Sequence, residues 1–392
     1  MKTSSASLLW SPTFFLLVLL AAFPPLATDM YLPAIPLLQQ QWQQPLQVVN
    51  LTLVAFFVSY CLFLLIYGPL SDRFGRRRPL LGGIALFILA SIGCALSNSV
   101  GQLIVARIVQ AAGAAAAAAL SLAITKDIYR DSERIRMLAW MGVLMALAPA
   151  VSPFIGSLVL LYASWRWIFL VQAAIALLAW LGVLRMGETL QQPIQTGALQ
   201  TARIYLHLLR NRRYLVYALM VSTVVLPHFA YIAGSADIYI NRLGLGEQAF
   251  SAYFAINALA FMSGSLLCTW LLPRHGAQRL LTLGFSGLLL GGLVLWLQPF
   301  GGPAGVAASM AIVTLSMGLS RPPSNNLVLK QVDRYAGAAS SLLIFIFFIF
   351  GAFAMWLISL DWPDKVAVIG QLATAAGSLT LGLWLWLKRR DD

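Results

Sequence analysis

Gly68-Pro-Leu-Ser-Asp-Arg-Phe-Gly-Arg-Arg-Arg-Pro79 is the stretch that decides how the rest of the chain is read. It sets four arginines and an aspartate between two apolar runs, 46–67 and 80–97. Each run is close to the ~20 apolar residues a membrane-spanning helix needs. So dense a cluster of charge is too costly in hydrocarbon, so it marks a short turn outside the bilayer. The pattern returns in the second half as Pro273-Arg-His-Gly-Ala-Gln-Arg-Leu-Leu281, where Arg274, Gly276 and Arg279 align with Arg73, Gly75 and Arg78. Each loop follows the second apolar run of its half, as a duplicated helical unit requires.

Working outward with the same ruler gives twelve spans, near 12–38, 46–67, 80–97, 101–125, 136–160, 166–185, 214–240, 248–271, 280–298, 303–329, 337–360 and 366–387. The one long polar interruption is 186–213. It separates a six-helix bundle over 1–185 from a second over 214–392, with 186–213 as the connector. The fold class expected is an all-α membrane protein of two pseudo-symmetric six-helix bundles. Of the 392 residues 60% are hydrophobic and 10% charged, where a soluble protein carries about 25% charged. Lys2 before the apolar run from Leu8 resembles a signal-peptide start. That run continues past Asp29 to Leu38 with a poor cleavage pattern, so it is read as a retained first span.

The net charge of +13 would suggest nucleic acid in a soluble chain. Here its placement gives orientation instead. With the N-terminus inside, 21 of the 26 basic residues fall in even loops or at the two ends, including Lys2, Arg76, Arg77, Arg130 and Arg390. Only Arg166, Arg242 and Lys365 fall outside. This is the positive-inside bias, and it places both termini in the cytoplasm. Trp10, Trp42, Trp165, Trp167, Trp362 and Trp386 lie near span ends, where aromatic belts form. Cys61, Cys94 and Cys268 have neither metal nor redox spacing. There is no Gly-rich phosphate loop with Lys-Ser/Thr and no paired-carboxylate or metal-ligand cluster, so no enzyme chemistry, metal or ATP is expected.

Few polar residues lie at membrane depth. Asp29 is the sharpest, because an ionised carboxylate there persists only beside a cavity or a partner. Arg107 is the expected partner: it lies about six residues from the outer end of the fourth span, Asp29 about nine from that of the first, so at 1.5 Å per residue their depths agree within about 5 Å. Gln110 shares the Arg107 helix face, and Tyr31 lies beside Asp29. In the second half, Arg321-Pro-Pro-Ser-Asn-Asn326 is expected to interrupt the tenth span and line a cavity. Arg321 either meets an anionic or carbonyl group there or snorkels to the helix end. Asn325, Tyr231 and Asn257 are cavity candidates by the same logic. His228 is one as well, or else a hydrogen-bonded packing residue. Asp237 is placed at the outer rim.

The 68–79 stretch resembles the loop motif between the second and third spans of the major facilitator superfamily. Thr28-Asp-Met-Tyr-Leu-Pro-Ala-Ile-Pro36 and Ala148-Pro-Ala-Val-Ser-Pro-Phe-Ile-Gly156 are similar to motifs of its Bcr/CflA group of drug:proton antiporters. Arg107-Ile-Val-Gln-Ala-Ala-Gly113 resembles the family's Arg-x-x-Gln-Gly, with Ala111 where glycine is usual. The resemblance implies a monomeric proton-driven exporter of small, moderately apolar compounds of the chloramphenicol and bicyclomycin type, in a bacterial inner membrane, with the proton gradient in place of a cofactor. It gives Asp29 and Arg107 the proton coupling. Gly68, Asp72, Arg73, Gly75 and Arg78 become a gate that latches the two bundles, with Asp72 approaching a helix N-terminus. Pro149, Pro153 and Gly156 become a packing hinge. Some multidrug relatives carry a second acid two turns earlier, where this chain has Ala21; that implies a modest proton stoichiometry. Two other readings stay open. One is export of an endogenous metabolite or siderophore, the other a sensor built on a transporter fold.

Overall fold

Pro24 and Pro25 cannot donate backbone hydrogen bonds to Leu20 and Ala21, and the first span breaks there. In the computed structural model, which describes residues 11–129, 131–191, 198–332 and 334–391, α1 (Pro12–Ala21) and α2 (Phe23–Asp29) meet at Ala22. A 3-10 turn over Leu32–Ala34 leads into α3 (Ile35–Trp42). The span is bent by 46° at the break. Then follow α4 (Leu46–Phe74), α5 (Arg77–Leu96), α6 (Val100–Ile128), α7 (Asp131–Tyr162) and α8 (Arg166–Arg185). α9 (Ala198–Arg210) comes next, then the seventh span as α10 (Arg212–Thr223), α11 (Leu226–Ala236) and a π-helical turn Asp237–Arg242. The gap between α10 and α11 falls where Pro227 leaves the Thr223 carbonyl without its helical donor. The rest is α12 (Glu247–Leu297), α13 (Gly302–Leu329), α14 (Ala336–Ser359) and α15 (Lys365–Asp391).

Among the described residues ten helical segments are long and apolar enough to cross a membrane, with α10, α11 and the π-helical turn counted as one over Arg212–Arg242, and eleven if the bent first pair is one span. α12 holds two spans. Its 51 residues would run about 75 Å as one rod, against about 30 Å of hydrocarbon. Gly276, at φ 73°, turns it between them. Gly75 also takes a positive φ, 86°, in the first half. The internal repeat seen in the sequence is therefore repeated in backbone geometry, with glycine where the turn excludes a Cβ. The chain is a twelve-span, all-helical membrane protein. Lys2, Trp10, Arg130, the Arg390 side chain and residues 192–197 of the connector lie outside the described residues.

Two features differ from expectation. The connector carries a helix: α9 buries Leu208 and interleaves Leu199, Ile204, Leu206 and Leu209 with polar and basic residues, an amphipathic pattern too short to register beside the spans. And Arg321-Pro-Pro does not interrupt the tenth span, since α13 runs through Pro322 and Pro323 to Leu329. Pro322 withholds the donor that the Gly318 carbonyl would accept, and the Ser265 hydroxyl donates to that carbonyl instead, at 3.3 Å. Re-satisfaction by a neighbouring helix is what lets a prolyl helix persist in lipid.

Contacts divide the chain into two units that are not simply its two halves. One holds the chain up to Ala34 with Ala55–Thr201; the other holds Ile35–Val54 with the chain from Ala202 onward. In the second unit Asn50 Nδ2 donates to the Ala233 carbonyl at 3.0 Å and Ser359 Oγ at 2.8 Å, and Asn241 Nδ2 donates to Gln39 Oε1 at 3.3 Å.

Candidate functional site

α2 ends on Thr28 and Asp29, where the chain turns out of helical geometry, so their side chains meet local groups. Asp29 is 5% exposed. The Thr28 hydroxyl lies 2.9 Å from Asp29 Oδ1 and 2.9 Å from the Pro24 carbonyl. One hydroxyl hydrogen serves one acceptor at a time, and the oxygen can accept as well as donate. Thr28 can thus donate to an ionised Asp29, or turn to Pro24 and accept from a protonated one.

Arg107 on α6 is fully buried. The expected ion pair with Asp29 is absent: among the described residues Asp29 makes no salt bridge. The guanidinium is held elsewhere. Its Nη1 donates to the Ala27 carbonyl at 2.8 Å and Gln110 Oε1 at 2.6 Å. Its Cζ lies 4.2 Å from the Phe56 ring centroid and 5.3 Å from that of Tyr31. A desolvated cation over such a ring gains about 2 kcal/mol. Nε and Nη2 have no hydrogen-bond partner. The arginine is therefore tied to the backbone two residues before Asp29, with donors to spare.

Gln110 is taken up by side-chain partners. It is fully buried, and its Nε2 donates to Ser91 Oγ at 2.8 Å and Gln172 Oε1 at 2.9 Å. Gln172 Nε2 then reaches the Leu26 carbonyl at 3.1 Å. The chain of bonds links α2, α5, α6 and α8 around Arg107. Tyr31 is also fully buried, packed against Phe169 at 5.5 Å between centroids. Sequence reading missed Phe56, Ser91 and Gln172. Gln172 was detectable as the one amide in an apolar span; Phe56 carried no signal among so many aromatics.

Gly156 packs on this region. A Cβ there would sit 2.0 Å from the Met30 carbonyl oxygen, so only glycine lets α7 approach the residue after Asp29. α7 runs through Pro149 and Pro153 as one helix.

The 68–79 loop forms a local charged latch within the first unit, and its parts are not all those expected. Asp72 pairs with Arg76 at 2.5 Å, and Arg76 Nε reaches Asp127 at 2.9 Å. The acid at a helix N-terminus is Glu188, not Asp72. Glu188 accepts from the backbone N–H of Arg76 at 2.8 Å and Arg77 at 3.2 Å, where α5 exposes unpaired donors and the positive end of its dipole. Burial pulls the Glu188 carboxyl up, but backbone donors from Leu190, Arg76, Arg77 and Thr189 outweigh it and hold the acid below its ordinary value. Arg73 lies 5.1 Å from the Phe74 centroid, and neither it nor Arg78 makes an ion pair among the described residues. A Cβ at Gly68 would meet nothing, so no close approach requires that glycine. Every group in this latch belongs to the first unit.

In the second unit the candidates separate. Asn257 Nδ2 donates to Tyr231 Oη at 2.9 Å, and both are buried. Arg321 and Asn325 line a separate cavity of about 140 Å³. Arg321 Cζ lies 4.1 Å from the Phe347 centroid and 5.9 Å from that of Phe261. His228 stacks on Phe261 at 6.0 Å, its Nδ1 without a partner. Asp237 is paired with Lys365 at 2.8 Å and Arg242 at 3.4 Å.

Twelve spans, a duplicated half and glycine-turned basic loops define a membrane transporter fold. The family model described as Major Facilitator Superfamily matches residues 15–355, and the chain belongs to that family. It is 33% identical to an uncharacterized MFS-type transporter, YdgK, of Bacillus subtilis, across 92% of this chain and 93% of that one. It is 29% identical to a chloramphenicol resistance protein of Pseudomonas aeruginosa, across 83% and 79%. Its fold matches the xylose transporter XylE from E. coli with a TM-score of 0.73 at 16% identity, over 96% and 98% of the two chains.

Proposed function

We propose that the protein is a proton-coupled antiporter that exports small, moderately apolar compounds of the chloramphenicol type by alternating access. The observation that carries this reading is Asp29. It is a buried acid with one switchable hydroxyl partner, beside a buried arginine to which it is not paired. An acid locked in an ion pair would not exchange its proton; this one meets a partner suited to either protonation state.

Asp29 takes up a proton when the site is open to the outside. When it is open to the inside, substrate favours release of that proton. Coupling requires only that proton and substrate stabilise different states. Arg107, fixed by Ala27, Gln110 and Phe56, keeps positive charge near the acid and has two unpartnered nitrogen positions for the ionised carboxylate or a substrate oxygen. Gly156 lets α7 slide against the Met30 backbone. The fuel is the proton gradient, without a bound cofactor. The basic loops support an orientation with both termini in the cytoplasm of a bacterial inner membrane, and the protein works as a monomer. Similarity to a chloramphenicol resistance protein supports the substrate class.

Purified Asp29→Asn protein in liposomes should show no uphill substrate movement under an imposed pH gradient, while downhill counterflow persists. Uphill transport by that variant would overturn the reading.

A further inference from the structure

Arg321 is a half-buried cation in the tenth span with no acid to balance it among the described residues. From Ala202 to Arg389 the chain holds only five acids: Asp237, Glu247, Asp333, Asp361 and Asp364. Asp237 is paired with Lys365 and Arg242, and Asp364 accepts from Gln298 and from the backbone of Val366 and Ala367. Glu247 opens α12 at a span end, Asp361 lies in the turn after α14, and Asp333 is outside the described residues. Among the described residues Arg321 makes no hydrogen bond or ion pair. It only lies against Phe347 and, further off, Phe261.

The cavity it faces is donor-rich. Ser324, Asn325 and Ser340 line it with Arg321, and none of the three is hydrogen-bonded among the described residues. Met317, Leu343 and Phe347 supply apolar walls. At about 140 Å³ the space is well below the ~300 Å³ at which whole drug-sized ligands are enclosed, so it holds one end of a molecule. An unbalanced cation at membrane depth is costly. Four groups that can all donate, converging on one small cavity, select an oxygen acceptor.

We propose that the Arg321 cavity is a subsite for the electron-rich oxygen end of a substrate, a carboxylate or strongly dipolar carbonyl or nitro group on an otherwise apolar body, and that it turns away cations. The substrate identity rests on the exporter reading; the binding chemistry does not.

The test uses the purified full chain in nanodiscs of neutral phosphatidylcholine. Equilibrium binding of 4-phenylbutyrate, 4-phenylbutyramide and 4-phenylbutylammonium is measured without any gradient. The carboxylate and amide should bind at least about tenfold more tightly than the ammonium. Arg321→Gln should narrow that ratio to within about threefold, and Arg321→Lys should keep its order. If Arg321→Gln does not fold, Asn325→Leu with Ser340→Ala should weaken the amide while sparing the order of the charged probes.

An ammonium bound as well as the carboxylate, or discrimination unchanged in the variants, would overturn the proposal. Loss of carboxylate binding when phosphatidylglycerol replaces part of the lipid would assign the cavity to a lipid headgroup, which also overturns it. Binding with the expected order but no uphill transport would remove the exporter reading and leave the subsite standing.

Discussion

Thr28 is the residue on which the Asp29 chemistry turns. Its hydroxyl reaches both Asp29 Oδ1 and the Pro24 carbonyl at 2.9 Å, so it can exchange roles as the acid gains or loses a proton. Thr28→Val keeps the shape and removes the hydroxyl. That change should lower gradient-driven transport about tenfold or more, a buried unsatisfied acid costing about 1–3 kcal/mol, while Thr28→Ser retains most of it. Proteoliposome transport at matched protein amounts checks this. Phe56 acts on the other partner. Phe56→Leu removes the ring 4.2 Å from the Arg107 guanidinium but keeps the apolar volume. A loss of about 1–2 kcal/mol of cation–π stabilisation should appear as a lower unfolding midpoint and weaker coupling, whereas Phe56→Tyr should restore both.

At the scale of elements, the close approach of α7 to the first span and the Glu188 latch make the sharpest claims. Gly156→Ala places a Cβ 2.0 Å from the Met30 carbonyl oxygen, which backbone on both sides cannot relieve without moving a helix. It should abolish transport while Gly68→Ala, where a Cβ meets nothing, leaves it within about twofold of wild type, since surface changes away from such contacts cost little. For the latch, the sign of the pH effect follows from a depressed acid. Glu188 sits below its ordinary 4.5, so its stabilisation is complete above that value and is lost as pH falls through the lower folded one. Hydrogen exchange at the Arg76 and Arg77 amides should stay slow from neutrality down to that range and then accelerate. Glu188→Gln should raise it at neutral pH by roughly fivefold, the difference between a charged and a neutral acceptor. Exchange that is equally slow in Glu188→Gln would mean that the latch does not depend on the acid.

At the scale of the whole molecule, the division by contacts cuts through the first two spans, giving Ile35–Val54 to the unit that begins at Ala202. Gln39 and Asn241 lie in the same unit, so if the two units move during alternating access their contact stays in place. Cysteines placed by Gln39→Cys and Asn241→Cys and then oxidised should leave transport within about twofold of the reduced form. Loss of transport on oxidation, restored by reduction, would show that this contact opens within its unit.

The spans, the repeat and the family follow from the order of residues alone, because a bilayer admits few solutions. A segment of about 20 apolar residues must be a helix that satisfies its own backbone, and a positive-φ turn favours glycine, as at Gly75 and Gly276. That order also marked Asp29 and Arg107, because charge at membrane depth is rare. What those charges touch was set by packing in three dimensions. Arg107 turned to Ala27, Gln110 and Phe56 rather than to Asp29; Glu188 took the helix N-terminus expected for Asp72; Ser265 allowed α13 to continue through two prolines. Each of these depends on a partner far away in sequence, whose distance and angle local pattern does not encode. The Arg321 cavity shows both halves of this division. The scarcity of acids around it is written in the chain, but the convergence of Ser324, Asn325 and Ser340 on one space is set by how α13 and α14 pack.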